Sequence, residues 1–230
     1  MTSNKTLKIF AVVPAYNEEK KIGQVIEGLK KYISDIIVVN DGSLDKTAQI
    51  AKEKGAVLVS HCFNLGLGAA LRTGFCLALE KGADIILTFD ADGQHNPDDL
   101  EKVITPILKG QADVVIGTRL KGKGNMPLSR KIISFLASLF TYIFYGKWVS
   151  DSQSGLRAFK RQALEKIKLS SQKMEVSSEI IGQIKKHNLC LKEVPISGIY
   201  TSYSLSKGQK LFSGSVRIVW DVLISKLFKI

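Results

Sequence analysis

Ile85-Ile86-Leu87-Thr88-Phe89-Asp90-Ala91-Asp92-Gly93-Gln94 is the stretch that decides the fold. Its first five residues, apolar or β-branched, read as a short buried strand. The run then stops on two carboxylates and an amide. In open α/β sheets, ligands sit beyond the carboxyl ends of the strands. Two carboxylates placed there repel each other, so the pair makes chemical sense around a divalent cation that also touches a phosphate oxygen. A turn followed by a helix start is the plainer reading, because aspartate favours turns and Asn96-Pro97-Asp98-Asp99 opens the next helix.

Working outward, residues 1–118 alternate strands and helices at βαβ spacing. Strands are expected at Leu7 to Val13, Ile36 to Val39, Val57 to Val59, Ile85 to Phe89 and Val114 to Gly117. Between them, Glu18 to Tyr32 carries Ile22, Val25, Ile26 and Leu29 on one helical face. Ser43 is placed to cap a helix running to about Lys54, Gly66 to Lys81 is a third helix, and Pro97 begins a fourth. The pattern predicts a parallel α/β sheet with helices on both faces. Each strand ends in polar chemistry on one edge: Pro14-Ala15-Tyr16-Asn17-Glu18, Asp41-Gly42-Ser43, Asp90-Ala91-Asp92 and Thr118-Arg119. A tyrosine face stacks on a base, and carboxylates such as Glu18 and Asp41 accept from base N–H groups or ribose hydroxyls.

Composition narrows the function classes. The 230 residues, 45% of them hydrophobic, suffice for one large domain. Residues 1–118 hold 13 Lys and Arg against 15 Asp and Glu, whereas 119–230 hold 20 against 6. The second half is therefore expected to meet a polyanionic ligand or an anionic membrane surface. Nucleic acid is not expected, since no helix-turn-helix, zinc-finger or aromatic RNA-binding motif occurs. Cys62, Cys76 and Cys190 have no zinc or disulfide spacing and are expected to be reduced, mostly core thiols. His61, His95 and His187 look isolated, with His95 expected on a loop or surface near the acidic motif. Met1 to Lys8 lacks the apolar segment of a signal peptide, so a cytoplasmic location is expected. Gly66-Leu67-Gly68-Ala69-Ala70-Leu71 fails the dinucleotide fingerprint, with leucine at the third small position and the motif away from the first βα turn. Its glycines are expected to let the helix approach the sheet.

The ordered set Pro14-Ala15-Tyr16-Asn17-Glu18, Asp41-Gly42-Ser43, Asn64 with Gly66 and Gly68, Asp90-Ala91-Asp92-Gly93-Gln94, Gly117-Thr118-Arg119 and Asp151-Ser152-Gln153-Ser154-Gly155-Leu156-Arg157 resembles family 2 glycosyltransferases. Among these, the dolichyl-phosphate mannose and glucose synthases are the nearest in pattern. The resemblance spans roughly Lys8 to Lys210. It implies a GT-A fold, a Rossmann-like α/β architecture with a mainly parallel sheet, and a nucleotide-diphosphate sugar donor. It also implies Mg2+ or Mn2+, and inverting transfer of a hexose to a polyprenyl or dolichyl phosphate. By the same likeness Asp90, Asp92 and Gln94 hold the metal and diphosphate, and Pro14, Tyr16, Glu18, Val39 and Asp41 hold the nucleoside, with Ala91 between the carboxylates. Arg119, Arg130, Ser154 and Arg157 face the acceptor phosphate or the donor diphosphate, Arg119 also serving catalysis. The family's Arg-X-X-Gly-X-Ser-Lys loop is replaced by Tyr203-Ser204-Leu205-Ser206-Lys207-Gly208-Gln209-Lys210, leaving Lys207 and Lys210 as point charges for the donor phosphates.

The expected organisation is a catalytic domain over 1–210, with a nucleotide-sugar half at 1–118 and an acceptor half at 119–210, then an amphipathic helix at 211–230. In the latter, Phe212, Val216, Val219, Trp220, Leu223, Leu227 and Ile230 share a stripe. That stripe suits an interfacial anchor on the cytosolic face of a membrane, or docking on the domain, on a second subunit or on a membrane protein. Ile132 to Tyr145, apolar but too short to span, lies at an interface or packs in the core. No strong general-base candidate is visible: Glu175 and Glu179 follow the acceptor-like region and at i, i+4 spacing share a helix face, which helix-surface solvation explains equally well. Transfer to a glycan or lipid hydroxyl, or sugar-nucleotide binding without turnover, are the alternative functions.

Overall fold

A computed structural model describes residues 7–122 and 126–200. Lys207, Lys210 and the 211–230 stripe lie outside the described residues. The strands are β1 (Ile9–Ala15), β2 (Asp35–Asn40), β3 (Val57–Ser60), β4 (Ile85–Thr88), β5 (Val114–Thr118), β6 (Arg157–Lys160) and β7 (Leu191–Pro195). The helices are α1 (Ile22–Lys30), α2 (Thr47–Glu53), α3 (Leu67–Glu80), α4 (Leu100–Leu108), α5 (Leu128–Tyr145), α6 (Arg161–Leu164) and α7 (Val176–Lys186).

The strands form one sheet in the order β3-β2-β1-β4-β6-β5-β7. The pairs β1/β2, β1/β4 and β2/β3 are parallel, as expected, and β5 pairs in parallel with β7, a strand the sequence reading did not include. β6 is inserted antiparallel between β4 and β5, with Ile86 opposite Phe159 and Ile116 opposite Arg157. The sequence pattern misses this strand because Arg-Ala-Phe-Lys has no apolar run. Through β6 the chain beyond residue 118 enters the sheet laid down by the first 118 residues.

Alternation along β1 sends Ala11, Val13 and Ala15 to one face, where they meet Ile22, Val25, Ile26 and Leu29 of α1 and Leu100, Val103 and Ile104 of α4. Phe10 and Val12 point the other way, onto Ala70, Leu71 and Phe75 of α3 and Ile180, Ile181 and Ile184 of α7. The core is thus two apolar layers separated by the sheet. Gly74 belongs to this packing, since a Cβ there would overlap the Val12 side chain.

Three local expectations change. Cys62, Cys76 and Cys190 are free thiols but exposed, with Cys76 on the outer side of α3 beside Glu80. Ser43 does not cap α2, which begins at Thr47. Its hydroxyl instead accepts from Asn17 N at 3.0 Å, and Asp45 Oδ1 accepts from Thr47 N at 2.9 Å. α5 adds no side chain to either apolar layer. Its buried residues are Ser134, Ser138 and Thr141, so the apolar stretch Ile132 to Tyr145 is not core packing.

Candidate active site

Four loops at the carboxyl edge of β1, β2, β4 and β5 meet around the junction where chain order reverses, β2 and β3 lying on one side of β1 and β4 on the other. The first two are laced together. Asn17 takes a left-handed conformation, φ 53°, which asparagine tolerates, and its Oδ1 accepts from Leu44 N at 2.9 Å. Glu18 N donates to Thr47 Oγ1 at 2.7 Å, and Glu19 N to Asp45 Oδ2 at 3.1 Å. Among the expected nucleoside residues, Pro14 is half-buried at the end of β1, Tyr16 is exposed, and Glu18 and Asp41 are buried. Val39 lies with its side chain in the core beside Val12, so only its main chain is near the edge.

Asp41 is more than a turn residue. Its Oδ1 accepts from Leu65 N at 2.9 Å and lies 2.7 Å from His61 Nδ1, and its Oδ2 accepts from Gly66 N at 2.8 Å. His61 Nε2 continues to Thr73 Oγ1 at 2.9 Å. Asp41 therefore fixes the loop carrying Asn64, and His61, which looks isolated in sequence, is its partner from β3's end. Gly42 is required here, because a Cβ would press on the backbone of Phe63 and its φ is +71°.

The acidic motif follows β4. Asp92 Oδ1 accepts from Gln94 N at 2.9 Å and its Oδ2 from the Gln94 side-chain amide, while Gln94 Oε1 accepts from Arg130 Nη1 at 2.7 Å. Asp90 Oδ2 lies 3.0 Å from His95 Nε2. His95 is not on the surface: its ring is fully buried, edge-on to Phe89 at 5.6 Å, with Nδ1 lacking a hydrogen-bond partner among the described residues. Facing a carboxylate, Nε2 carries the proton. Burial works to raise the Asp90 carboxyl, but the bond and charge of His95 and the charges of Arg119 and Arg157 outweigh it and hold Asp90 below the usual range. Asp92 is pushed upward, first by burial and then by the neighbouring Asp90 charge. This repulsion between hard oxygen donors is what a divalent cation relieves, and one or two carboxylates plus substrate phosphates are a normal Mg2+ environment. The donor set fits such an ion.

The loop of residues 150–156 forms the opposite wall. Arg119 Nε and Nη2 grip Asp151 at 2.8 and 2.9 Å, and Arg119 N adds a 3.2 Å bond. Their bidentate bonds and charge outweigh burial and lower the Asp151 carboxyl. Gly155 lies against Asp90, where any Cβ would overlap the carboxylate. Ser154 is buried, its Oγ without a hydrogen-bond partner among the described residues. Arg157, expected to face the acceptor, is buried instead. Its Nε and Nη2 donate to the carbonyls of Ser154 and Ser152 at 2.8 and 2.7 Å, and burial lowers its pKa to about 10 against the support of Asp90 and Asp151. It sits in β6 opposite Thr88, so it braces the wall from beneath. Arg130 is half-buried and reaches Gln94, whereas the Arg119 side chain is largely enclosed against Asp151.

Gly66 and Gly68 serve a contact the sequence did not show. A Cβ on either would overlap backbone at Ser171 or Gln172, not the sheet, and Gln172 O accepts from Gly68 N at 2.7 Å. That segment is held in turn by Glu179, whose carboxylate accepts from Ser170 N at 2.8 Å, Ser170 Oγ at 2.5 Å and Ser171 N at 2.9 Å. Glu179 is therefore buried and engaged, not a solvated helix residue.

Comparison with known proteins agrees with this geometry. The model for glycosyl transferase family 2 matches residues 10–168. The chain is 40% identical over 245 aligned positions to the UDP-N-acetylglucosamine–dolichyl-phosphate N-acetylglucosaminyltransferase of Methanococcus voltae, covering 96% of this chain and 97% of that one. It is 33% identical to the polyprenol monophosphomannose synthase of Mycolicibacterium smegmatis, over 74% of this chain and 68% of that one. The crystal structure of mannosyl-3-phosphoglycerate synthase from Rubrobacter xylanophilus superposes with a TM-score of 0.73 at 21% identity, covering 96% of this chain and 75% of that one, which is agreement in fold. A GT-A sheet, an Asp-X-Asp turn at the end of β4 and a family match over most of that sheet converge: the chain is a glycosyltransferase and belongs to glycosyl transferase family 2.

Proposed function

We propose that this enzyme moves one hexose from a nucleotide-diphosphate sugar to a polyprenyl or dolichyl phosphate, inverting the anomeric carbon, while lying on the cytosolic face of a membrane. The observation that carries the reading is the acidic pair Asp90 and Asp92 facing a loop whose negative charge is already balanced by Arg119 and Arg157. The two relatives add to it, since one is named for dolichyl phosphate and the other for a polyprenol.

The chemistry follows from which groups are engaged. A hydroxyl nucleophile needs a general base. Glu179 is committed to Ser170 and Ser171, and Asp151 to Arg119. A phosphate monoester needs none, its second pKa of about 6 leaving it largely dianionic at neutral pH. Its oxygen attacks the anomeric carbon opposite the departing nucleoside diphosphate. Asp90 and Asp92, with Gln94 beside them, would hold Mg2+ or Mn2+, and such an ion would supply charge neutralisation for that leaving group. Arg130 and the Asp151-paired Arg119 supply positive potential beside the acidic motif, and Tyr16, Glu18 and the Asp41-organised loop hold the nucleoside. Holding two phosphates in line supplies much of the remaining rate.

Nucleotide release is measured across GDP and UDP sugars with and without a polyprenyl phosphate, and the lipid product is weighed by mass spectrometry. Release that depends on the lipid phosphate is expected. Comparable turnover with the free polyprenol replaces this reading with transfer to a hydroxyl.

A further inference from the structure

Helix α5 is built inside out for a protein that meets only water. Its buried positions are Ser134, Ser138 and Thr141, whereas Leu128, Ile132, Phe135, Leu136, Tyr142 and Ile143 are exposed, each by about half or more. The exposed residues recur at helical spacing and so form one stripe. Monomeric proteins rarely leave such an apolar stripe uncovered without a partner.

We infer that this stripe is the surface by which the protein lies flat on a bilayer of anionic lipids. Three observations select lipid as the occupant. From Leu128 to Trp148 there is no acidic residue, while the exposed Lys131 stands at one end and Lys147 at the other, matching anionic headgroups. Trp148, about half exposed, stacks edge-on with Phe135 and Tyr142 at 6.0 Å each, giving the amphipathic aromatic pair favoured at a headgroup boundary. No helix among the described residues is long and apolar enough to cross a membrane, so α5 rests at the interface.

The other face of α5 gives this surface a purpose. Ser138 Oγ donates to Ser150 O at 3.2 Å and accepts from Ser152 N at 3.2 Å, so the helix carries the loop that forms the wall opposite the acidic motif. Arg130, in its first turn, holds Gln94 of the acidic motif. A lipid face and the reacting site are thus two sides of one rigid element. Under the polyprenyl-phosphate reading, on which this last step rests, the acceptor phosphate meets the site while its chain stays in the lipid beside α5.

The test uses the full chain with Trp220→Phe, which leaves Trp148 as the single indole. Vesicles of phosphatidylcholine and phosphatidylglycerol with brominated acyl chains are expected to quench and blue-shift Trp148. Leu136→Gln combined with Ile143→Gln is expected to lower vesicle partition roughly tenfold or more, while transfer to a water-soluble short-chain prenyl phosphate is unchanged. Cosedimentation without Trp148 quenching, or no cosedimentation, overturns the proposal. So does a dimer, seen by sedimentation velocity, that the double variant dissociates without altering vesicle partition, because the stripe then belongs to a second copy. Quenching needs no transfer chemistry, so it stands or falls separately from the acceptor reading, which the short-chain assay tests alone.

Discussion

Asp92 and Arg157 occupy neighbouring layers of one site and are expected to fail in different ways when changed. Asp92 is half-buried at a strand end, and Asn retains an oxygen for the Gln94 N bond. Asp92→Asn should therefore fold normally and lose about 10²–10³ in kcat, the scale of a group that stabilises developing charge. Initial rates across a Mn2+ titration check this, and near-normal turnover at saturating metal removes Asp92 from the metal site. Arg157 is fully enclosed, with its fork on two loop carbonyls and its charge shared by Asp90 and Asp151. Removing a buried cation leaves its partners uncompensated, so Arg157→Ala should cost about 3 kcal/mol or more of stability. Urea unfolding is the measurement. A variant of unchanged stability but impaired acceptor use would restore the acceptor-facing role that the sequence suggested.

At the scale of elements, one relay joins α7 to α3. Glu179 on α7 holds Ser170 and Ser171, and the next residue, Gln172, closes on Gly68 at the first turn of α3. These bonds outweigh burial and keep the Glu179 carboxyl below its ordinary 4.5. A lowered carboxyl pKa contributes stability that is fully present above the unfolded value and is lost as pH falls through the folded one. Glu179→Gln should thus cost about 1–2 kcal/mol near neutral pH, and the gap between variant and parent should close on acidification below the ordinary glutamate range. Thermal unfolding across pH follows it, and a pH-independent gap would assign the loss to packing. Sequence periodicity identified α3 and the strands around it because both depend on local alternation of apolar residues. It could not identify the relay, whose partners stand about a hundred residues apart.

For the whole molecule, the reversal of chain order between β1 and β4 sets the loops after β1 and β2 and the acidic motif along one edge of the sheet. A ligand bridging them binds only the folded chain, and occupancy at 100 times Kd stabilises by about 2.7 kcal/mol. At this size that corresponds to a rise in Tm of about 5–10 °C. The rise is expected with a nucleoside diphosphate plus Mn2+, and a chelator should abolish most of it. An equal shift without metal would separate nucleotide binding from Asp90 and Asp92.

The sequence by itself determined the βαβ order, the strand ends that carry Asp41, Asp90, Asp92 and Arg119, and the membership in a glycosyltransferase family, because these depend on short-range pattern and on motifs in sequence order. The tertiary structure decided what pattern could not carry. It inserted β6 antiparallel between β4 and β5, since strand pairing is set by neighbours in space. It enclosed His95 behind Asp90 and Arg157 beneath it, since burial of a polar side chain depends on distant partners that satisfy it. It also turned the apolar side of α5 outward, because the space beneath that helix is filled by hydroxyls bonded to Ser150, Ser152 and Ser178, leaving the leucine, isoleucine and phenylalanine side chains no core to enter.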